Sequence, residues 1–426
     1  MTALATEHEA LLACARRGLG QDNAQVAAET LAWDAFLTAA GQQGLAPLVH
    51  RGLGALSVPP PAPVVAALRT SRAVAALHHR VGLEATLQQA VAALRAAGLD
   101  PIVLKGGALT YLVYPAPELR TMGDVDLLVP LAQLDRASAA LHAVGFRALP
   151  IELPDHHHHL PPLLAPNGQF ALELHHDVLP EANPYALDLE SMRGRAQRRQ
   201  LGAVEALVLA PEDTLLHLCV HLAWGHRYQR FPLRTLVDVL ALTTRSQPPL
   251  DWERFVMVVE QTRAAGAVYW PLRLARLWLE AAVPEPVLDR LAPPGMLKRL
   301  TQPIMQSPYV LHGIAPSGAG MVVLYNLLRE LSLYGGCSLH EQAGAVWRTL
   351  MPPPEAVNHL SPAVTRSRLR YAARLWYPPR LGRGLLAVGV LITKLLRRSA
   401  ALRLDRRPAR PESPPHATPS FLTTGE

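Results

Sequence analysis

Apolar residues recur every three or four positions through most of this 426-residue chain, and short extended runs replace that period only between about residues 100 and 176. A helical period buries one stripe of a cylinder, whereas alternation buries one face of a pleated strand. The chain is therefore expected to be an α+β protein, with one small mixed sheet embedded between helical regions. The helical period runs through LAWDAFLTAAGQQGLAPLVHRGL and VGLEATLQQAVAALRAAGL, and PPPAP at 59–63 divides these helices into two groups. It returns after Pro211 in EDTLLHLCVHLAWGH and LRTLVDVLALTT, and continues to about residue 400. Ala and Leu dominate and aromatics are only 5% of the chain, which favours helix over strand outside that interval.

Within the interval, PIVLKGG is a short apolar run closed by two glycines, and VDLLVP at 125–130 is another, closed by Pro130. A helix is predicted over 131–144 and a return strand over 145–149. Asn167-Gly168 between two alternating runs predicts a hairpin, with 169–176 as its second strand. The expected organisation is a helical region over 1–96, a core over 97–205 and a helical region over 206–402. Ser361-Pro362 reads as a helix start. The last segment, 403–426, contains RRPARPESPPHATPS, which offers no face to bury and is expected to be disordered.

Basic residues outnumber acidic ones 41 to 34, a net charge of +7, with Arg clusters at 193–199 and 394–410. Polyanion contacts fit this excess, and so does a solvated basic face. Cys14, Cys219 and Cys337 are too few and too scattered for a disulfide framework or a CxxC zinc site, which suits a reducing cytoplasm. Acids and a His precede any apolar run at the start, unlike a signal peptide. Leu385–Thr393 is too short to span a bilayer. The stretch 381–398, apolar and flanked by Arg, fits a buried helix better than a peripheral membrane contact. The large helical surface leaves room for a dimer.

The segment 104–129, LKGGALTYLVYPAPELRTMGDVDLLV, carries the chemistry. Asp124 and Asp126 stand two apart on a predicted strand, so both carboxylates leave the same face and can converge. Hard carboxylate oxygens beside a phosphate suit Mg²⁺, or Mn²⁺ in its place. A metal pair would clamp the attacking and leaving oxygens of an in-line displacement at phosphorus. Gly106 and Gly107 lack a Cβ, so their amides can approach a triphosphate, Lys105 can contact it, and Arg120 can neutralise charge on it or on pyrophosphate. Each feature has a plain structural alternative, an ordinary turn for the glycines and a solvated strand end for the acids. A strand, a Gly pair and then Asp-hydrophobic-Asp is a far rarer ordering than any of its parts.

That ordering resembles the signature of polymerase-β-like nucleotidyltransferases. KGGAL, a Tyr-bearing stretch, an Arg and GDVDLLV resemble more closely still a bacterial family known only as nucleotidyltransferase family proteins. The similarity extends over about residues 30–240, with helical flanks and an acid two residues before a His in LELHH. The resemblance implies a minimal nucleotidyltransferase fold that takes an NTP and uses Mg²⁺. It also implies a third carboxylate from a later strand, which by position is Glu173, as metal holder or general base. A half-exposed edge-strand glutamate is the alternative. Two departures stand out: the stretch between Gly107 and Asp124 is long, so the loop with Arg120 must cover or border the site, and His176 stands where the family often has an aromatic.

Period 2 places Glu173 and His175 on one strand face and His176 on the other. The run His156–His159 can bind Zn²⁺ or Ni²⁺, but alternation on a strand splits the rings between two faces, so a single site would use at most two of them, and a polar strand or loop near the site entrance is the favoured reading. His217 and His221 have helical ligand spacing without the Glu of HExxH, which suggests a His pair lining the cleft. Asp238 either approaches the same cleft or forms a helix-surface ion pair. The reaction expected is transfer of a nucleoside monophosphate to a hydroxyl or phosphate acceptor, more readily a small molecule than a protein or tRNA. Nucleotidyl modification of protein or tRNA by a toxin/antitoxin-like enzyme, with Arg193–Arg199 as the acceptor face, is one rival. A non-catalytic nucleotide-binding scaffold is the other.

Overall fold

The computed structural model describes residues 6–344, apart from 22–24, 154–156, 169, 181–182, 229–231, 307–309, 311–318, 335–336 and 338–339. The chain divides into two units, Met1–Ala356 and Val357–Glu426, and every described residue lies in the first. The predicted tail, the helix start at Ser361-Pro362 and the apolar stretch 381–398 lie outside the described residues.

Five helices open the unit: α1 (Thr6–Gly18), α2 (Trp33–Gln42), α3 (Ala46–Arg51), α4 (Ala62–His78) and α5 (Ala85–Ala96). The proline run ends just where α4 begins, with Pro61 before its first turn, a position where a missing N–H costs nothing. One turn of π-helix, His79–Glu84, joins α4 to α5. On α5 the buried residues Leu87, Ala90, Val91 and Leu94 follow the i, i+3, i+4, i+7 pattern that turns one stripe to a core. Gly98, at φ +70°, ends that helix.

The sheet follows, with β1 (Ile102–Val103), α6 (Lys105–Leu112), β2 (Asp124–Leu128), α7 (Leu134–Ala143), β3 (Arg147–Ala148), β4 (Leu163–Leu164), β5 (Ala171–His175), α8 (Leu189–Gly194), β6 (Gln197–Leu201) and β7 (Val204–Val208). Its order is β3-β4-β5-β2-β1-β7-β6. β2 and β5 run parallel in the centre, with Asp124 opposite Ala171 and Asp126 opposite Glu173. The hairpin at Asn167-Gly168 forms as its residues predict, with Leu163 paired to Leu172 and Gly168 at φ +66° in the turn. The first strand is shorter than its apolar run: the backbone turns at Lys105, φ +40°, and a helix begins there. β6 and β7 were not among the expected strands. They enclose the turn Gly202-Ala203, and β7 extends the sheet by pairing parallel to β1.

Alternation assigns the two sheet faces. Val125, Leu127, Leu172 and Leu174 join Leu87, Val91 and Leu94 of α5 and Leu141 of α7 in one apolar core. The intervening positions, Asp124, Asp126, Glu173 and His175, therefore leave the opposite face. Beyond the sheet come α9 (Pro211–Val220), with a π-turn at His221–Gly225, then α10 (Pro232–Arg245), α11 (Trp252–Gln261) and α12 (Ala265–Leu279). Helices Glu285–Leu291, Gly295–Met305 and Ala319–Leu333 follow. The early helices and the late ones share one large core, in which Leu11, Phe36 and Leu48 lie with Leu236, Leu240 and Trp270.

Candidate active site

Asp126 is the centre of the polar sheet face. It is 6% exposed, Lys105 Nζ lies 3.4 Å from Oδ2, and His175 Nε2–H donates to Oδ1 at 3.0 Å. Burial opposes its charge, but Lys105 and then His175 outweigh that and hold its carboxyl well below the usual carboxylate range. His175 is fully buried, and its Nδ1–H donates to the Asp177 carbonyl at 3.3 Å. Nε2 also lies 3.3 Å from Glu173 Oε2. A carbonyl beside Nδ1 and carboxylates beside Nε2 put acceptors on both sides of the ring, an arrangement that favours imidazolium. Burial pulls the His175 pKa down, but the bonds to Asp126 and Glu173 raise it above the ordinary value.

Asp124, at the exposed start of β2, behaves oppositely. Desolvation first, then the charges of Asp126 and Glu173, push its carboxyl up to about 6, with Lys105 and Arg234 acting against them. The three acids are therefore unequal: one anion is held deep by two cations, and another is reluctant to ionise beside it. Asp126, Glu173 and His175 bring their ligand atoms within 4.8 Å of one another.

Lys105 owes its position to backbone geometry. A non-glycine residue at φ +40° costs about 1–2 kcal/mol, and the turn directs the lysine into the carboxylates. Gly106 and Gly107 occupy the first turn of α6 and are buried. Their need for glycine is also one of packing: a Cβ at Gly106 would collide with the Arg120 guanidinium, and one at Gly107 would sit 2.9 Å from Val103 Cγ1. As first-turn residues their amides still lack intrahelical acceptors.

Arg120 and Asp238 meet each other. Arg120 Nε and Nη2 donate to the two oxygens of Asp238 at 2.8 and 2.7 Å, and the Tyr114 hydroxyl donates to Oδ1 at 2.6 Å. Both are buried, at 8% and 1% exposure, so Asp238 forms neither an open cleft acid nor a surface ion pair. Burial disfavours the Arg120 charge, and Asp238 more than restores it. The loop between α6 and β2 is further held by Thr121, which donates to Gly44 O at 2.8 Å and whose carbonyl accepts from Arg234 Nη1 at 3.1 Å.

His217, 3% exposed, and half-buried His221 stack edge to face at 5.8 Å on α9 and its π-turn. Burial and then the Lys105 charge hold both well below the ordinary histidine value. His157, His158 and His159 cluster beside β5, and His159 Nε2 lies 3.6 Å from Glu173 Oε2. His156 lies outside the described residues. The arginines at 193–199 are engaged within the protein: Arg195 pairs with buried Asp213 at 2.8 Å, Arg198 with Asp100, Arg193 with the Asp100 carbonyl and Arg199 with the Gln247 carbonyl.

Arg234 is absent from the residues singled out by motif. Its i, i+4 relation to Asp238 on α10 was the available signal, because it places both on the helix face that meets the motif loop. The expectation that at most two of these histidines could share a site is corrected: 157–160 is not a regular strand, so alternation does not split the rings, and His157, His158 and His159 converge.

Three acids on one face of adjacent parallel strands, beside a lysine and the start of a helix, define the class: an α+β nucleotidyltransferase core. The chain belongs to the family described as uncharacterised nucleotidyltransferase, whose family model matches residues 29–280. No curated protein and no solved structure matches it. Among the described residues, no helix is long and apolar enough to cross a membrane.

Proposed function

We propose that the protein transfers a nucleoside monophosphate from an NTP to a hydroxyl or phosphate acceptor and releases pyrophosphate. The observation that carries this reading is the register of β2 and β5, which sets Asp126 opposite Glu173 on the face that Lys105 also reaches. The donor set fits Mg²⁺ or Mn²⁺: Asp124, Asp126 and Glu173 supply hard oxygens, and the deepest of them is ionised. Bound there, a metal pair would supply charge neutralisation at the reacting phosphate and lower the pKa of the attacking hydroxyl.

The chain's own groups do the rest. Lys105 and the free amides of Gly106-Gly107 hold phosphate oxygens at the start of α6. Asp124, pushed up to about 6 by burial and by its acidic neighbours, is the acid whose ionisation a bound cation would favour, and Glu173 serves as metal holder or as proton acceptor for the attacking hydroxyl. Arg120 holds the loop against α10 and positions Gly106, a role that leaves its charge already matched by Asp238. The internal pairing of Arg193–Arg199 favours a small acceptor over a polynucleotide. The compartment proposed is the cytoplasm, in line with the three free cysteines.

The test is a Mg²⁺-dependent assay with each α-labelled NTP against small-molecule, protein and tRNA pools, run beside Asp126→Asn. Label transferred by the wild type and reduced at least about 1,000-fold in the variant supports the reading. NTP binding with no transfer to any pool favours a nucleotide-binding scaffold instead.

A further inference from the structure

Three consecutive histidines sit beside the carboxylate face without belonging to it. His157, His158 and His159 each offer a ring nitrogen, and those nitrogens lie within 4.8 Å of one another. The ring centroids are 4.5, 4.1 and 4.9 Å apart. The backbone beneath them is fixed: the amides of His176 and Asp177 both donate to the His158 carbonyl, at 3.0 and 3.2 Å, and His176 Nε2–H donates to the His157 carbonyl at 3.0 Å. The three rings are thus held together by the end of β5.

Two of their ring nitrogens lack a hydrogen-bond partner. Nδ1 of His157 and Nδ1 of His158 are buried and make no hydrogen bond. His159 directs Nδ1–H to the Leu160 carbonyl at 2.7 Å, which leaves Nε2 as the basic nitrogen. An imidazole whose second nitrogen donates to a carbonyl is the usual arrangement of a metal-bound histidine. Two buried nitrogens without partners are otherwise a cost, since each has lost its bonds to water and gained none in return.

We propose that His157, His158 and His159 form a binding site for a borderline divalent cation of the Zn²⁺ class, separate from the carboxylate site and leaving one coordination position open. Imidazole nitrogen selects Zn²⁺, Co²⁺ or Ni²⁺ over Mg²⁺, whereas the Asp124, Asp126 and Glu173 oxygens select the hard cation, so the two sites sort metals by ligand chemistry. Zn–N bonds of about 2.0–2.1 Å require ligand nitrogens roughly 3.3 Å apart, so the rings close in by side-chain rotation about a fixed backbone. With His159 Nε2 3.6 Å from Glu173 Oε2, occupancy also fixes the wall of the carboxylate site. The inference does not depend on nucleotidyl transfer.

Metal-free full-length protein is titrated with Zn²⁺ by calorimetry in millimolar Mg²⁺, alongside His157→Ala/His158→Ala and Asp126→Asn/Glu173→Gln. The expected result is tight zinc binding that survives in the carboxylate variant and weakens at least about 100-fold in the histidine variant. Zinc binding unchanged in the histidine variant, or abolished only in the carboxylate variant, overturns the proposal. Should the histidine variant not fold, X-ray absorption of the wild type loaded with one equivalent of Co²⁺ decides. Scattering from three imidazoles supports the site, and a shell of oxygens alone overturns it.

Discussion

Asp126 is an anion kept charged inside the protein by two cations, and the value of each can be read separately. Lys105→Met removes the cation nearest Oδ2 while leaving the His175 bond in place. If Lys105 also holds the triphosphate, KM for NTP rises about tenfold or more, and the melting temperature falls because Asp126 keeps only His175 as counter-charge; initial rates across NTP concentrations and a melting curve check this. Gly106→Ala acts differently. The added methyl meets a guanidinium that cannot swing away, because Asp238 grips it with two bonds. Overpacking of this kind costs about 1–3 kcal/mol, visible as a lower denaturation midpoint, and activity falls with it because the start of α6 is displaced. The convergence of Asp124 and Asp126 was legible from spacing alone, since period 2 needs no tertiary information. The reason for Gly106 was not: its neighbour Arg120 reaches it only through the packing of the loop.

At the scale of elements, the Arg120–Asp238 pair joins the loop before β2 to α10 across 118 positions of sequence. Asp238 lies next to the buried stripe Leu233, Leu236, Val237 and Leu240, on the side that meets the loop. Asp238→Asn leaves the buried guanidinium without its counter-charge and is expected to destabilise the protein by about 3–5 kcal/mol in chemical denaturation. Arg120→Met/Asp238→Leu should recover much of that loss, because it removes both buried charges together. Recovery of stability without recovery of transfer would show that the pair orders the site as well as the fold. The helices, β2 and the Asn167-Gly168 hairpin were legible because each declares itself in a local period or turn. β6 and β7 were not, since QRRQL alternates no apolar residue and its arginines suggest solvent rather than a strand. Their pairing depends on β1, distant in sequence.

For the molecule as a whole, buried neutral histidine links stability to pH. The folded-state pKa of His217 lies well below its unfolded value of about 6.5, so below that pH the unfolded chain binds a proton that the folded chain refuses. Stability is therefore retained above about pH 6.5 and lost as pH falls beneath it, at up to about 1.4 kcal/mol per pH unit for this one group. His175 has the opposite sign: its raised pKa adds stability that is complete below about pH 6.5 and fades as pH rises through the folded value. In metal-free protein, His217→Leu should flatten the acid side of the stability profile and leave the alkaline side unchanged. Melting curves from pH 5 to 8 measure it, and parallel profiles for wild type and variant would rule it out.

The sequence by itself determined the fold class, the acid pair and the hairpin that brings Glu173 up beside it, because helical period, strand alternation and turn chemistry are local properties of the chain. Tertiary structure alone decided that Lys105 and His175 neutralise Asp126, that Arg120 serves Asp238, and that the arginines of 193–199 are paired within the protein. It also decided that three neighbouring histidines converge. Charge pairing and burial depend on which distant groups the core brings together, and no local period carries that information.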